Sequence, residues 1–486
     1  MISEVLERPA AASSAQPGVQ GRTGSTGSPA LWFAALAAAL GGFLFGYDWV
    51  VIGGAKPFYE AHFALVQPAS QAWAMSCALV GCLVGAVGAG PLSDRVGRRS
   101  GLLLAAAAFC VSAVGTAAAG SFTAFVLWRM AGGVAIGMAS VLSPVYIAEI
   151  APASIRGRLV CLNELTIVMG ILAAQIVNWL IAQPVPDGAL AADIQASWNA
   201  HTGWRLMFVA ALAPAAVFLL SLLFIPESPR WLARNGAWER ARHVLCRLGE
   251  SLHAEAVLQE IRVSLAAAPS GSPGTVAARF AGLAPVLTVG VSLAVLQQWC
   301  GINVIFNYAQ EVFTAAGYPL SGILFDIVIT GVTMCVFTFV AIATVERLGR
   351  RPLMLFGCGS LTCIYIAVGY LYHAHTYGLP LLVLIVAAIA CYAMTLAPIT
   401  WVILSEIFPN SVRGACMAIC TASLWAACFV LTYTFPLLNA SIGTAGTFWF
   451  YALVCAAGFV FVLARVPETK QKSLEAIPQL WRPKTP

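Results

Sequence analysis

Charge is what this chain has least of. Of its 486 residues only 9% are Asp, Glu, Lys or Arg, against 60% hydrophobic. A soluble protein of this size cannot hide that much apolar surface, so lipid is the solvent. The fourteen cysteines include no Cys-x-x-Cys pair and stand singly in apolar runs, which excludes a disulfide framework and reads as small packing thiols. There is no His-rich metal spacing, and no nucleophile stands with a base and an orienting group in recognisable spacing. Neither a metal, a cofactor nor an enzyme is therefore expected. The net charge of +6 is no nucleic-acid signal, because the basic residues sit at the ends of apolar segments. Residues 1–29 lack the basic start and cleavage pattern of a signal peptide; rich in Ala, Ser, Gly and Pro, they are expected to form a disordered cytoplasmic tail.

What is abundant is long apolar runs. Each has about 20 residues, enough to cross a hydrocarbon core of roughly 30 Å. They predict an all-α membrane protein with twelve spans near 31–54, 71–92, 101–119, 122–144, 160–182, 204–225, 282–314, 321–344, 353–373, 378–404, 414–438 and 445–466. The seventh and tenth are long, and are expected to be tilted or broken. A charged, helix-prone stretch at 226–280 separates a bundle of six spans (30–225) from a second (281–466), and 467–486 is a second tail. Arg95, Arg98, Arg99, Arg156, Arg158, Arg347, Arg350, Arg351 and Arg413 all fall in loops on one side, so both termini are expected in the cytoplasm. Gly81 and Gly85 in the second span, and Gly133 and Gly137 in the fourth, are spaced four apart, which lets helix backbones approach closely.

One charged block occurs twice. Asp94-Arg95-Val96-Gly97-Arg98-Arg99 follows the second span, and Glu346-Arg347-Leu348-Gly349-Arg350-Arg351 follows the eighth. Two related membrane halves point to a transporter that rocks one against the other. The blocks, with Glu149 and Arg156 in one half and Glu406 and Arg413 in the other, either set topology alone or also form a cytoplasmic ion-pair latch. The paired acids favour the latch, since arginine's planar fork suits a carboxylate. Its expected members are Asp94, Arg95, Arg99, Glu149, Arg156, Glu346, Arg347, Arg351, Glu406 and Arg413. It would hold the halves shut when the site faces outward.

With Gly41-Gly42-Phe43-Leu44-Phe45-Gly46-Tyr47-Asp48, Pro226-Glu227-Ser228-Pro229-Arg230-Trp231-Leu232, Gln297-Gln298-Trp299-Cys300-Gly301-Ile302-Asn303 and Pro467-Glu468-Thr469-Lys470, the chain resembles the sugar porters of the major facilitator superfamily over essentially everything after residue 30. Ser405-Glu406-Ile407-Phe408-Pro409-Asn410 resembles the bacterial xylose–proton symport branch. The two-half architecture is a known property of that superfamily. The resemblance implies the major facilitator fold, a monosaccharide and a proton as partners, and a multi-pass plasma-membrane protein, in the inner membrane if bacterial, that works as a monomer.

Gln297, Gln298 and Asn303 are amides in an apolar helix, and buried amides need partners. They either bond to neighbouring helices or to the hydroxyls of a sugar; the resemblance implies sugar contact. It implies the same for Gln175, Trp401 and Trp425, where an indole face can pack on the C–H face of a pyranose, and places Phe306 and Tyr308 at an external gate. Leu424, Cys428, Met334 and Ala393 stand where relatives often have polar groups, so the second half offers a sugar fewer partners.

Asp48 lies in an apolar helix, where a carboxylate costs about 2.5–3.5 kcal/mol or more. Arg129 opens the fourth span in a similar setting. The resemblance implies that the two pair, and that protonation of Asp48 drives symport; the bland alternative is a permanent ion pair. Glu164 is a second candidate for coupling. Symport is the leading expectation, with a facilitative uniporter and a sugar sensor as alternatives.

Overall fold

The computed structural model describes residues 28–152, 155–186, 191–249, 251–266, 283–309, 312, 314, 320–408, 413–468 and 470. The expected N-terminal tail before Ser28, residues 267–282 of the linker and residues 471–486 lie outside them. Among the described residues there is no strand. In lipid every backbone N–H and C=O must be satisfied within its own segment, and helices do this.

α1 (Pro29–His62) starts at Ser28, whose hydroxyl accepts from the Leu31 N–H at 3.2 Å. It runs beyond the expected end near 54 because the next turns stay packed: Phe58 and Tyr59 are buried. α2 (Pro68–Val96), α3 (Arg98–Ala117), α4 (Phe122–Ile150) and α5 (Arg156–Ile181) follow. α6 (Asn199–Phe224) opens with a π-helical turn at Asn199–Gly203. Short helices Pro229–Arg234, Trp238–Leu248 and Ser251–Ala266 occupy the linker.

The second half repeats the plan with interruptions. α7 (Ala284–Asn307) is broken into Ala284–Trp299 and Ile302–Asn307, with Gly301 in the left-handed region at φ 86°. α8 (Leu320–Leu348) and α9 (Arg350–His373) are continuous. α10 (Leu379–Ile407) is broken at Thr395, where φ is −128° and ψ −92°. Both long spans are thus broken. The final helical stretch, Arg413–Arg465, has 53 residues, far too long for one crossing at about 1.5 Å per residue. It turns back at Gly443 (φ 71°, ψ 172°), which splits it into α11 (413–442) and α12 (444–465). Arg351 at the start of α9 donates to the Leu463 carbonyl at 2.7 Å, while His373 at its far end faces Trp449. α12 therefore runs antiparallel to α9. Among the described residues eleven helical segments are long and apolar enough to span, the last of them this doubled one.

Close packing uses the small residues. A side chain on Gly81 or Gly85 of α2 would strike the Met130 and Val134 carbonyls of α4, and one on Gly133 or Gly137 would strike those of Ala78 and Cys82. Leu and Val side chains such as Val84, Leu127, Leu220 and Leu453 point outward, as a lipid-facing surface requires. The halves meet where α2 touches α11, α5 touches α8 and α1 touches the short second piece of α7.

Candidate functional site

The repeated block builds the same structure twice. After α2 the chain turns at Gly97 (φ 97°) and after α8 at Gly349 (φ 93°), a conformation that side chains other than glycine rarely adopt. Each turn exposes the N–H groups that open the next helix, and one glutamate accepts them. Glu227 takes those of Arg98 and Arg99 at 2.8 and 3.0 Å, and Glu468 those of Arg350 and Arg351 at 3.1 and 3.0 Å. A negative charge at a helix N-terminus is favourable. Arg98 then reaches Glu149 at 3.2 Å and Asp94 at 2.9 Å, and Arg350 reaches Glu406 at 3.0 Å. Ser228 also bonds to Glu149.

The expected membership of the latch needs correction. The arginines that hold Glu149 and Glu406 are Arg98 and Arg350. Arg99 and Arg351 instead donate to the carbonyls of Leu222, Leu223 and Leu463, because the glycine turn aims the first arginine after it inward. Around these blocks the ion pairs lie within one half or join it to the linker, as Asp94 joins Arg234 at 3.0 Å. Arg95 makes no described ion pair, and Arg347 is represented by its carbonyl, which accepts from Lys470 at 2.7 Å. The side chains of Arg156, Glu346 and Arg413 lie outside the described set.

The opposite end is closed. Gly53 of α1 packs so tightly on α7 that an added Cβ would lie 3.0 Å from the Phe306 carbonyl oxygen. Phe306 is buried, and Tyr308 donates its hydroxyl to the Thr432 carbonyl of α11 at 2.7 Å. Tyr308 also packs on Phe435, with centroids 4.5 Å apart, and Lys56 of α1 sits 5.6 Å above its ring. Lys56 is buried and bonds to Glu60 at 3.1 Å.

Between the two ends lie the predicted polar residues. The break in α7 lets Asn303 turn back on the preceding helix: it donates to Gln298 Oε1 at 2.6 Å. Gln298 donates to Gln297 Oε1 at 3.4 Å, and Gln297 to the Ala397 carbonyl at 2.9 Å, just past the break in α10. Three amides thus form a chain ending on a main-chain carbonyl. Such a chain can exchange its internal bonds for a ligand's hydroxyls. Gln175 reaches across the halves to Thr330 at 3.4 Å, and its Oε1 is buried with no described partner. Trp425 packs on Phe45 and Trp49 of α1 at 5.4 and 6.0 Å, and its indole N–H is likewise buried without a described partner. Both atoms keep hydrogen-bonding capacity that a polar group entering this layer could take up. Trp401 is partly buried on α10. Leu424, Met334, Ala393 and Cys428 are all buried.

In the first half, Arg129 donates to Asp48 Oδ1 at 2.6 Å and to the Asp48 carbonyl at 3.4 Å. The guanidinium is buried and lies 5.2 Å from the Phe208 ring centroid. Asp48 stands between Phe45 and Trp49, the two residues pressed on Trp425, so the ion pair and the cross-half aromatic contact share one stretch of helix. Glu164 on α5 is partly buried and has no hydrogen bond or ion pair among the described residues.

Two six-helix halves, a central polar layer, one closed end and one end held by separate intra-half networks define a membrane transporter of the alternating-access type. Residues 34–481 match the family model described as sugar (and other) transporter, and the chain belongs to that family. It is 37% identical to the D-xylose-proton symporter of Escherichia coli K12, covering 93% of this chain and 95% of that protein. It is 36% identical to the arabinose-proton symporter of Bacillus subtilis, covering 92% and 94%. Among solved structures it resembles the E. coli xylose transporter in a partially occluded inward-open conformation, at a TM-score of 0.81 and 34% identity, over 92% of this chain and all of that one. The same symporter bound to 6-bromo-6-deoxy-D-glucose matches at 0.78 and 35% identity, covering 93% and 99%.

Proposed function

We propose that the protein is a monosaccharide–proton symporter that works as a monomer in the plasma membrane, with its arginine-rich end in the cytoplasm. The observation that carries this reading is the buried Asp48–Arg129 pair, set in the same stretch of α1 that packs on Trp425 of the other half. A carboxylate at that position can gain and lose a proton. Protonation would remove the charge that holds Arg129 and so alter the packing of α1 at the contact between halves. Gln175, Gln297, Gln298, Asn303, Trp401 and Trp425 take the sugar in this scheme. Phe306 and Tyr308 close the external side in this scheme, a role supported by the burial of Phe306 and the bond from Tyr308 to the Thr432 carbonyl. The block networks would then rejoin across the halves when the site faces outward. Relatives named for xylose, arabinose and glucose make a pentose or hexose the substrate class.

The alternative is a uniporter in which the pair is permanent, a reading that the close 2.6 Å bond favours. Reconstituted liposomes separate the two. With labelled xylose, glucose and galactose and an inward proton gradient, symport predicts accumulation above equilibrium that collapses with a protonophore. Asp48→Asn should then lose accumulation and keep counterflow exchange. Equilibration without accumulation in the wild type would establish the uniporter.

A further inference from the structure

A cavity of about 20 Å³ lies beside the ion pair, walled by apolar residues of α1, α2 and α4 such as Ile52, Leu79 and Ile136. Beside Trp49 and Cys82, its lining includes Asp48 and Arg129 of the first half and Asn307 of the second. Each of these last three has one buried polar atom with no partner among the described residues, namely Asp48 Oδ2, Arg129 Nε and Asn307 Oδ1. Asn307 itself is only 5% exposed. A cavity that holds one water needs at least about 10–15 Å³ and two to four polar partners, and this one offers both.

Resting on the reading of Asp48 as the proton site, we propose that the cavity holds an ordered water through which Asn307 completes the hydrogen bonding of the Asp48–Arg129 pair, making Asn307 a positioning residue for proton coupling. The bonding balances. Arg129 Nε–H donates to the water, and the water donates one hydrogen to Asp48 Oδ2 and the other to Asn307 Oδ1. The site exists only while α7 lies against α1. When the halves part at this end, Asn307 leaves with α7 and the carboxylate meets the outside solution, where it can take a proton. When they close, the amide and its water replace that solution. The other titratable groups near the cavity are the Cys82 and Cys77 thiols of α2, the Tyr47 hydroxyl of α1 and, through Cys82, the Cys428 thiol of α11. α7 contributes only the neutral amide, so its removal alters solvation without changing charge.

The test compares wild type, Asp48→Asn, Asn307→Leu and Asn307→Ser as full-length protein in liposomes, across a pH series. It uses whichever labelled sugar of the xylose, glucose and galactose panel the wild type carries. The second readout is the infrared band of the protonated Asp48 carboxyl, identified by its loss in Asp48→Asn. Without the amide the charged carboxylate is less well solvated. The Asn307→Leu carboxyl should therefore stay protonated, and uptake should persist, to a pH about one unit higher than in wild type. Asn307→Ser, whose hydroxyl accepts from the same water, should return to the wild-type midpoint. Should the leucine variant fail to fold, Asn307→Val carries the same expectation. A wild-type midpoint in the apolar variant, or an equal shift in the serine variant, would overturn the role of Asn307. Accumulation that survives Asp48→Asn would instead overturn the reading of the proton site.

Discussion

In the N-terminal half the first and fourth spans, α1 and α4, run unbroken past Asp48 and Arg129, and the polar contact between them is one buried ion pair. In the C-terminal half the first and fourth spans are both broken, α7 at Cys300–Gly301 and α10 at Thr395, and a chain of neutral amides links them. At the arginine-rich end the two halves are built alike, down to the glutamate under each glycine turn. The difference shows what each chemistry asks of its scaffold. A buried charge pair tolerates little displacement, because each partner is costly when alone. It sits on continuous helices. Amides lose less when a bond is exchanged, so they can stand at breaks where helix pieces shift and where a polyhydroxyl ligand can replace internal bonds. The buried ion pair between first and fourth spans thus belongs to one half and the amide chain to the other, with Gln175 of the first half adding one amide beside Thr330 of the second.

The largest expected effect tests the ion pair. Arg129→Met would leave Asp48 as an unpaired carboxylate in a site where its side chain is 13% exposed. Breaking a buried pair by removing one partner costs about 3–5 kcal/mol. The purified variant should show a markedly lower Tm and no gradient-driven uptake. The double variant Asp48→Asn/Arg129→Met should recover most of the Tm without recovering accumulation. If the single variant were no less stable than wild type, buried charge would not be what distinguishes the halves.

The neutral side should give a smaller and different effect. Gln298→Ala removes the middle of the amide chain and leaves the Asn303 N–H and Gln297 Oε1 without their partners. An unsatisfied buried group costs about 1–3 kcal/mol, which corresponds to a roughly fivefold to 150-fold fall in uptake at limiting sugar. Accumulation at saturating sugar should still respond to the proton gradient, since the ion pair is untouched. Uptake kinetics unchanged from wild type would remove these amides from the sugar site.

Much of this comparison was legible in the sequence, for one reason: a polar residue in a lipid-spanning helix is expensive and therefore conspicuous. Asp48, Arg129, Gln175, Gln297, Gln298 and Asn303 stood out against an apolar background, and the spans followed from run length. The length of the seventh and tenth spans foretold that they were irregular. What could not be read was direction. Three arginines within five residues look equivalent in sequence, and only the Gly97 and Gly349 turns decide that Arg98 and Arg350 face the acids. Glu227 and Glu468 were visible in their motifs, but their role as acceptors for helix N–H groups depends on a turn more than a hundred residues away. The break at Thr395 has no glycine or proline at the site itself. Asn307 gave no signal, because its relation to Asp48 exists only across the boundary between halves.

The smallest expected effect concerns the contact by which the two kinds of scaffold meet. Tyr308 belongs to the second half, yet Lys56 of the first half lies over its ring, and its hydroxyl ties the end of α7 to the Thr432 carbonyl of α11. Tyr308→Phe keeps the ring, and with it the packing on Phe435. It removes one neutral hydrogen bond, worth about 1 kcal/mol, roughly a fivefold change in an equilibrium constant. That bond is internal to the second half, so its loss should loosen the α7 end and favour the state open on this side. Labelling of a cysteine placed in the α1–α2 loop should become severalfold faster, with Tm almost unchanged. If Tyr308→Phe left the labelling rate at the wild-type value, closure would be carried by the ring and the backbone contact at Gly53 alone. If it abolished accumulation as Asp48→Asn should, then the C-terminal half would hold part of the coupling chemistry, and the division of labour between the ion pair and the amide chain would fail.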